Sequence, residues 1–308
     1  MAVFGHEVLG LQVGPGDMKL VQVRLQRTPE VTAYAEAALS SVSEKEHPAG
    51  FNVEVAASSL QELLKNKQHG TFRSRDCYLS IPESFVFRKL IEIPTTLTEE
   101  EIMPAIRNEA ASYLPTDPDA MEIDYQIVLP SAFEKAEEGM HTLAVVAVER
   151  VVIQEYVALC QAAKLRPMAL DTRAAALMRA LVSPTSKDLM VIVSCETETA
   201  VVVLVQQGIV WGTASARTSD DVELFSTAIA DEIEHITKFY ANRTGKAGTP
   251  KGIILQGTGT LTALKKALQS QTEAPVHEAK AVATLPDGCD RSYIAAIGGA
   301  LYPLYGLL

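Results

Sequence analysis

The stretch Val8-Leu9-Gly10-Leu11-Gln12-Val13-Gly14-Pro15-Gly16-Asp17-Met18-Lys19-Leu20-Val21-Gln22-Val23 reads as strand, tight turn, strand. Val8, Leu11, Val13, Met18, Leu20, Val21 and Val23 supply the β-branched and apolar positions, and Gly14, Pro15, Gly16 and Asp17 supply the turn. A weaker version of the same pattern recurs at 189–211, where two apolar runs flank 194–199 and a Gln206-Gln207-Gly208 turn precedes Ile209-Val210-Trp211. Two hairpins of one kind, each opening a half of the chain, predict an internally duplicated α/β fold. In folds of that kind the two turns face each other across a cleft. Backbone N–H groups in such turns can cradle phosphates.

Outward from the first hairpin, 31–42 reads as a third strand region and 53–68 as an amphipathic helix. Ser58 and Ser59, three residues before Gln61 and Glu62, are compatible with a cap. A strand at 75–81 is stopped by Pro82. This β-β-β-α-β order is that of a ribonuclease-H-like or actin-like subdomain. The next stretch holds a strand (85–93), a helix opened by Thr98-Glu99-Glu100-Glu101, and strands at 122–129 and 142–148 on either side of a charged loop, 131–139. Pro104 is placed near the first turn of that helix, where proline is tolerated. A helix at 150–164 completes what reads as a small α/β unit of its own, 82–166. A short strand (168–170), a helix (172–181) and a linker at Ser183-Pro184-Thr185-Ser186 follow. The second half runs hairpin (189–213), long helix (220–242), strand (252–256), glycine turn, helix (261–270) and a last helix (290–301).

At 308 residues the chain has length for about two domains. Its 47% hydrophobic content and mean hydropathy of +0.11 describe a globular protein. The apolar runs are too short to cross a bilayer, and no secretory signal is evident. A net charge of −11 argues against a broad nucleic-acid or anionic-membrane surface, while leaving room for a local basic patch. Cys77, Cys160, Cys195 and Cys289 lie in apolar surroundings without metal-site spacing and read as buried free thiols. The six histidines are scattered, and no nucleophile elbow or Cys/His pairing appears. No catalytic residue and no metal site are therefore assigned. Gly245-Lys246 with Lys251 lacks phosphate-loop spacing and reads as a solvated loop.

With those elements in place, the chain resembles the type IV pilus assembly protein PilM family, actin-like relatives of the cell-division protein FtsA. Glu109-Ala110-Ala111-Ser112-Tyr113-Leu114-Pro115, followed by Glu122-Ile123-Asp124-Tyr125-Gln126, is similar to the family's helix end and following strand. Ile81-Pro82-Glu83-Ser84 resembles its V-P-x-S, and 171–177 its connecting helix. Gly10-Leu11-Gln12-Val13-Gly14 through Lys19 resembles its first phosphate motif, G-I-D-I-G-x-x-x-x-K, and Gly257-Thr258-Gly259 its adenosine-side glycines. The resemblance implies an actin-like ATPase fold with subdomain 1A at 1–81 and 167–187, an inserted subdomain 1C at 82–166, and subdomain 2A at 188–308. The family's helical insert after the second hairpin, 2B, has no counterpart, because Thr213 is followed almost at once by 220–242.

The family binds ATP with Mg²⁺, but the resemblance carries its site over poorly. The first motif's aspartate falls on Gln12, a neutral and weaker partner for Mg²⁺. Pro15 removes a backbone donor, and the second motif's aspartate and glycine fall on Ser194 and Glu196. Glu196 and Glu198 would repel a triphosphate. The expected vestige of a nucleotide site is Gly14, Lys19, Gly257 and Gly259, with neither ATP nor Mg²⁺ as a working cofactor.

The resemblance thus implies a cytoplasmic adaptor, peripheral to the inner membrane. It would bind the cytoplasmic tail of a PilN-like membrane protein in a groove between 1A and 1C, help assemble the pilus platform with its other components, and bind no nucleic acid. Phe85, Phe87 and Arg173 are the expected tail-contacting residues, the phenylalanines as pockets for a strand-like peptide and Arg173 for a carboxylate or carbonyl. The alternatives are an active actin-like ATPase that switches or polymerises, opposed by Gln12, Ser194 and Glu196, and the cytoplasmic platform domain of a type II secretion system, which shares the fold. Self-association stays open.

Overall fold

The opening hairpin forms where the sequence places it. In the computed structural model, which describes residues 5–14, 16–40, 42, 47–134, 138–183, 185–196, 199–257 and 261–305, β1 (Glu7–Gly14) and β2 (Asp17–Arg24) pair antiparallel from Glu7 opposite Arg24 to Gly14 opposite Asp17. Pro15, Pro184, Glu198, Thr258 and Gly259, and part of the 131–139 loop, lie outside the described residues. β3 (Glu30–Ala38) continues the meander on β2, α1 (Val53–Lys65) crosses over, and the short β4 (His69–Gly70) joins the outer edge of β3. β5 (Asp76–Ile81) then returns parallel to β1. Next come β6 (Phe87–Pro94), α2 (Glu99–Ala110), β7 (Met121–Val128) and β8 (Met140–Glu149), which form a three-stranded antiparallel sheet in the order β6-β8-β7. α3 (Arg150–Ala162) leads to β9 (Arg166–Thr172), parallel to β5, and α4 (Arg173–Leu181) follows.

The second half repeats this plan with β10 (Met190–Cys195), β11 (Thr199–Gln206), β12 (Ile209–Arg217), α5 (Val222–Thr244), β13 (Gly252–Gly257), α6 (Leu261–Gln271) and β14 (Val276–Glu278). The chain ends through α7 (Ile294–Ala300) and α8 (Tyr302–Tyr305). The two large sheets have the orders β4-β3-β2-β1-β5-β9 and β12-β11-β10-β13-β14. With β4 set aside they match strand for strand, antiparallel through the meander and parallel beyond it. This is the duplicated arrangement expected from the two hairpins, and among the described residues no sheet runs through both. The β11–β12 turn uses Gln207 and Gly208 at φ 53° and 75°, the left-handed pair that matches strand twist in a two-residue hairpin. Only residues 218–221 connect β12 to α5, so no subdomain is inserted there.

By packing, the chain divides into one unit of Met1–Phe85, Val151–Pro184 and Ala279–Leu308, and another of Val86–Arg150 and Thr185–Glu278. These units cut the chain differently from the limits expected at 81/82, 166/167 and 187/188. In the second unit, Val128, Ala132 and Ala144 share a core with the β10–β12 residues Val193, Val202 and Trp211. Arg243 of α5 also pairs with Glu92 of β6 at 2.7 Å, which groups the three-stranded sheet with the five-stranded one. α2 covers the three-stranded sheet, setting Ile102, Ile106 and Ala110 against Ile91, Ile123 and Val145.

In the first unit, α7 decides the packing. α7, Ile-Ala-Ala-Ile-Gly-Gly-Ala, is buried along its whole length, so it has no solvent face to present. It lies on β1, β2, β5 and α4. A side chain at Gly10 would sit 1.9 Å from the carbonyl oxygen of Ala296, and one at Gly298 would sit 1.8 Å from that of Ala176. The residues after Glu278 therefore belong with the first half. The expected single helix at 290–301 is a 3-10 turn, Arg291–Tyr293, followed by α7.

Local caps agree in part with the sequence. Glu101 accepts hydrogen bonds from the N–H and hydroxyl of Thr98, both at 2.9 Å, which holds its carboxyl below the usual range. α1 is capped by Asn52, whose side chain accepts from the Val55 N–H at 3.0 Å; Ser58 lies inside the helix and bonds back to the Glu54 carbonyl. Pro104 falls beyond the free N–H groups of the first turn, so α2 forgoes one internal bond there.

Two outcomes follow from this packing. Gly298→Ala drives a methyl into backbone and lowers unfolding stability by about 2 kcal/mol or more, whereas Gly212→Ala, which meets open space, changes it by less than about 0.5 kcal/mol. Thermal unfolding of the two variants distinguishes them. All four cysteines are buried free thiols, and burial, with help from Glu196 and Asp290, pushes Cys195 and Cys289 from 9.0 up to about 12. The folded state holds these protons more tightly than the unfolded chain. The resulting stability is intact below pH 9.0 and is lost as pH rises toward about 12, which a series of melting temperatures across that window measures.

Candidate functional site

The hairpin end of the first sheet carries a row of polar residues in an otherwise apolar face. Lys19 of β2 is opposite Gln12 of β1, Gln12 is opposite Ser80 of β5, and Ser80 is opposite Asp171 of β9. Paired positions on neighbouring strands share a face. Gln12 Oε1 and Ser80 Oγ are buried, and among the described residues neither has a hydrogen-bond partner. Asp171 is ion-paired with Arg179 at 2.5 Å.

Lys19 is only 6% exposed, and its ammonium is held by carboxylates of this same chain. It bonds to Asp17 and lies 3.9 Å from Glu36. The positive charge that a phosphate would need is already neutralised. Gly14 shares the turn with Asp17, whose Oδ1 would lie 3.0 Å from a side chain placed on Gly14. The turn is braced from behind by Arg173 at the start of α4. Arg173 is 3% exposed and donates from Nη2 to the Val13 carbonyl at 3.2 Å, and the Tyr156 hydroxyl donates to the same carbonyl at 3.3 Å. Burial raises the Tyr156 hydroxyl well above its ordinary pKa, so it remains a donor.

The 3-10 turn Glu83–Phe85 is tied to the same helix start. Glu83 Oε1 accepts from the Ala174 N–H at 2.8 Å, where the α4 dipole favours a carboxylate, and Thr172 caps the helix by accepting from Ala175 at 3.2 Å. Phe85 is half-buried in the first unit. Phe87, half-buried in the second, opens β6 and packs against the core under α2. They are near neighbours along the chain. Sequence reasoning missed Asp17, Glu83 and Tyr156. Asp17 was visible as an acid in the turn of the phosphate motif, while Glu83 and Tyr156 act through partners distant in sequence.

In the second hairpin, Ser194 is buried opposite Gln256, and its Oγ accepts from the Gln256 side chain. The Glu196 N–H donates to the Thr199 carbonyl at 2.8 Å. Gly257 has φ +125°, and a side chain there would lie 2.0 Å from the Cys195 carbonyl oxygen. Close pairing of β13 with β10 therefore demands glycine at 257 with or without a ligand. Gly14 and Lys19 share one hairpin, Gly257 belongs to the other unit, and Gly259 is not described.

These side chains fit a magnesium triphosphate badly. The row beside the turn carries no charge at Gln12 or Ser80, and the motif lysine is ion-paired. Among the described residues no cluster of three or more His, Cys, Asp or Glu is placed to hold a metal ion. The two unpartnered oxygens at Gln12 and Ser80 suit a donor such as water. No described helix is long and apolar enough to cross a membrane.

Comparison with solved structures places this fold among actin-like proteins. A PilM-PilN type IV pilus biogenesis complex chain matches with a TM-score of 0.75 at 18% identity, covering 96% of this chain and 98% of that one. The cytoplasmic domain of EpsL, an inner membrane component of the type II secretion system of Vibrio cholerae, matches with a TM-score of 0.54 at 11% identity, covering 96% and 95%. The ethanolamine utilization protein EutJ from Carboxydothermus hydrogenoformans gives 0.51 at 13% identity, covering 96% and 90%. At such identities the likeness is one of fold. No curated protein sequence gives a significant match. The family model described as type IV pilus assembly protein PilM matches residues 10–212, from the first hairpin through the second and about two thirds of the sequence, so the chain belongs to the PilM family.

Proposed function

We propose that this protein is a cytoplasmic adaptor of the type IV pilus assembly platform, that it binds the cytoplasmic tail of a PilN-like inner-membrane protein, and that it does so without ATP hydrolysis. The observation that carries the reading is the PilM family match across residues 10–212. The likeness to the chain of a PilM-PilN complex supports the choice of partner. The type II secretion alternative has only a likeness of fold behind it.

The adaptor reading asks little of the chain beyond a rigid frame, and the hairpin supplies one. Lys19 is neutralised by Asp17 and Glu36, and Arg173 and Tyr156 hold the Val13 carbonyl. These contacts stabilise the turn and neutralise the motif lysine. Arg173 then acts as a brace, and contact with the tail falls to Phe85, which ends the 3-10 turn, and to Phe87, which opens β6, each only partly buried. The Glu83 carboxylate, bonded to the start of α4, fixes the turn that carries Phe85.

A peptide copying the partner's tail binds the full chain in nucleotide-free buffer. Phe85→Ala and Phe87→Ala each weaken that binding several-fold while the far-ultraviolet circular dichroism stays that of the folded chain; Phe87→Ala, which also loses packing under α2, melts earlier than Phe85→Ala. Fluorescence anisotropy of a labelled tail measures both affinities. Unchanged affinity in both variants, or crosslinks confined to 189–308, would contradict the assignment.

A further inference from the structure

The end of the six-stranded sheet remote from the hairpin turn gathers cations in a chain whose net charge is −11. β5 and β9 both begin at this end. Arg73 and Arg75 lead into β5, and Lys164 and Arg166 lead into β9. The starts of the two strands are stitched together, because the Arg166 N–H donates to the Arg75 carbonyl at 2.7 Å. Lys65 and Lys67 come off the end of α1, which is tied to the end of α3 by Gln61 donating to the Ala162 carbonyl at 2.8 Å. All six cations are exposed.

Few acids answer them. Glu62 pairs with Lys65 at 3.2 Å and Asp76 with Arg166 at 2.5 Å. Lys67, Arg73, Arg75 and Lys164 have no ion pair among the described residues. Next to them, Glu7 and Glu30 are both taken by Arg24, at 3.0 Å each. The loop that carries Arg73 is fixed from inside. The buried Gln22 accepts from the N–H groups of Arg73 and Ser74 at 2.6 and 3.0 Å, and its amide donates to the Thr71 carbonyl at 3.1 Å. The positive charges therefore stand on a rigid base.

We propose that this surface rests on an anionic lipid bilayer, the cytoplasmic leaflet of the inner membrane. The proposal builds on the reading of the protein as partner to an inner-membrane component. Charge complementarity carries it, since exposed lysines and arginines are drawn to anionic headgroups within a Debye length. Met168 favours a bilayer over a nucleic acid. It is 52% exposed, lies two residues beyond Arg166 where β9 bulges against β5, and offers an apolar chain to the headgroup boundary. Base stacking would need exposed aromatic rings, and the aromatic residue nearest the arginines in sequence, Phe72, is buried.

The test uses the full chain and partner-free vesicles. Vesicles rich in phosphatidylglycerol sediment with the protein at low salt, those of phosphatidylcholine do not, and binding fades as salt is raised. The double variant Arg73→Glu, Arg75→Glu lowers vesicle affinity about tenfold or more. Lys67→Glu lowers it less and serves if the double variant melts early. Equal binding to neutral vesicles overturns the proposal, as does wild-type binding by both variants, or a single-stranded polynucleotide bound more tightly than the anionic vesicles at the same salt. The partner-tail peptide is titrated in parallel. If it fails to bind while the vesicles bind, the adaptor reading falls and the lipid surface stands; if it binds and the vesicles do not, the reverse holds.

Discussion

The first strand and α7 touch backbone to backbone. Gly10 of β1 lies under Ala296, and Gly298 of the same helix lies against Ala176 of α4, with no room for a side chain at either glycine. Burying Ile294 and Ile297 there contributes roughly 1.5–3 kcal/mol each. The contact draws the C-terminal segment to the first half and fixes α4 relative to β1. From that placement Arg173, at the start of α4, reaches the Val13 carbonyl, and the hairpin turn is set. The first glycine of the phosphate-like motif thus has a packing duty independent of any ligand, as does Gly257 beside Cys195. A chain can lose the chemistry of a nucleotide site and still keep its glycines.

That distinction explains what the sequence made legible. The two hairpins were readable because alternation and turn residues are local, and local signals survive into strands paired in register. The Thr98–Glu101 cap was readable for the same reason. The grouping of elements was not. Nothing near α7 in sequence says that it packs on β1. Its lack of any polar face was the available sign that both its sides would be buried. The three-stranded sheet joined the second unit through Val128, Ala144 and the Glu92–Arg243 pair, all of them contacts distant in sequence.

The candidate site was legible as chemistry and opaque as geometry. Gln12, Ser194 and Glu196 could be weighed from residue type alone. That Lys19 would spend its charge on Asp17 and Glu36, and that Arg173 would be buried as a brace, required strand register and helix placement. The cationic surface was hidden for a different reason. A net charge of −11 averages over the chain, whereas Arg73, Arg75, Lys164 and Arg166 are brought to one place by the parallel starts of β5 and β9.

A nucleotide-independent adaptor holds its partner's tail equally well with and without Mg-ATP. The affinity of the partner tail, measured by calorimetry with and without saturating Mg-ATP, tests it most directly. The expected result is one Kd under both conditions and no heat when Mg-ATP is titrated alone. A tenfold shift in tail affinity on adding Mg-ATP, or micromolar binding of the nucleotide itself, would contradict it.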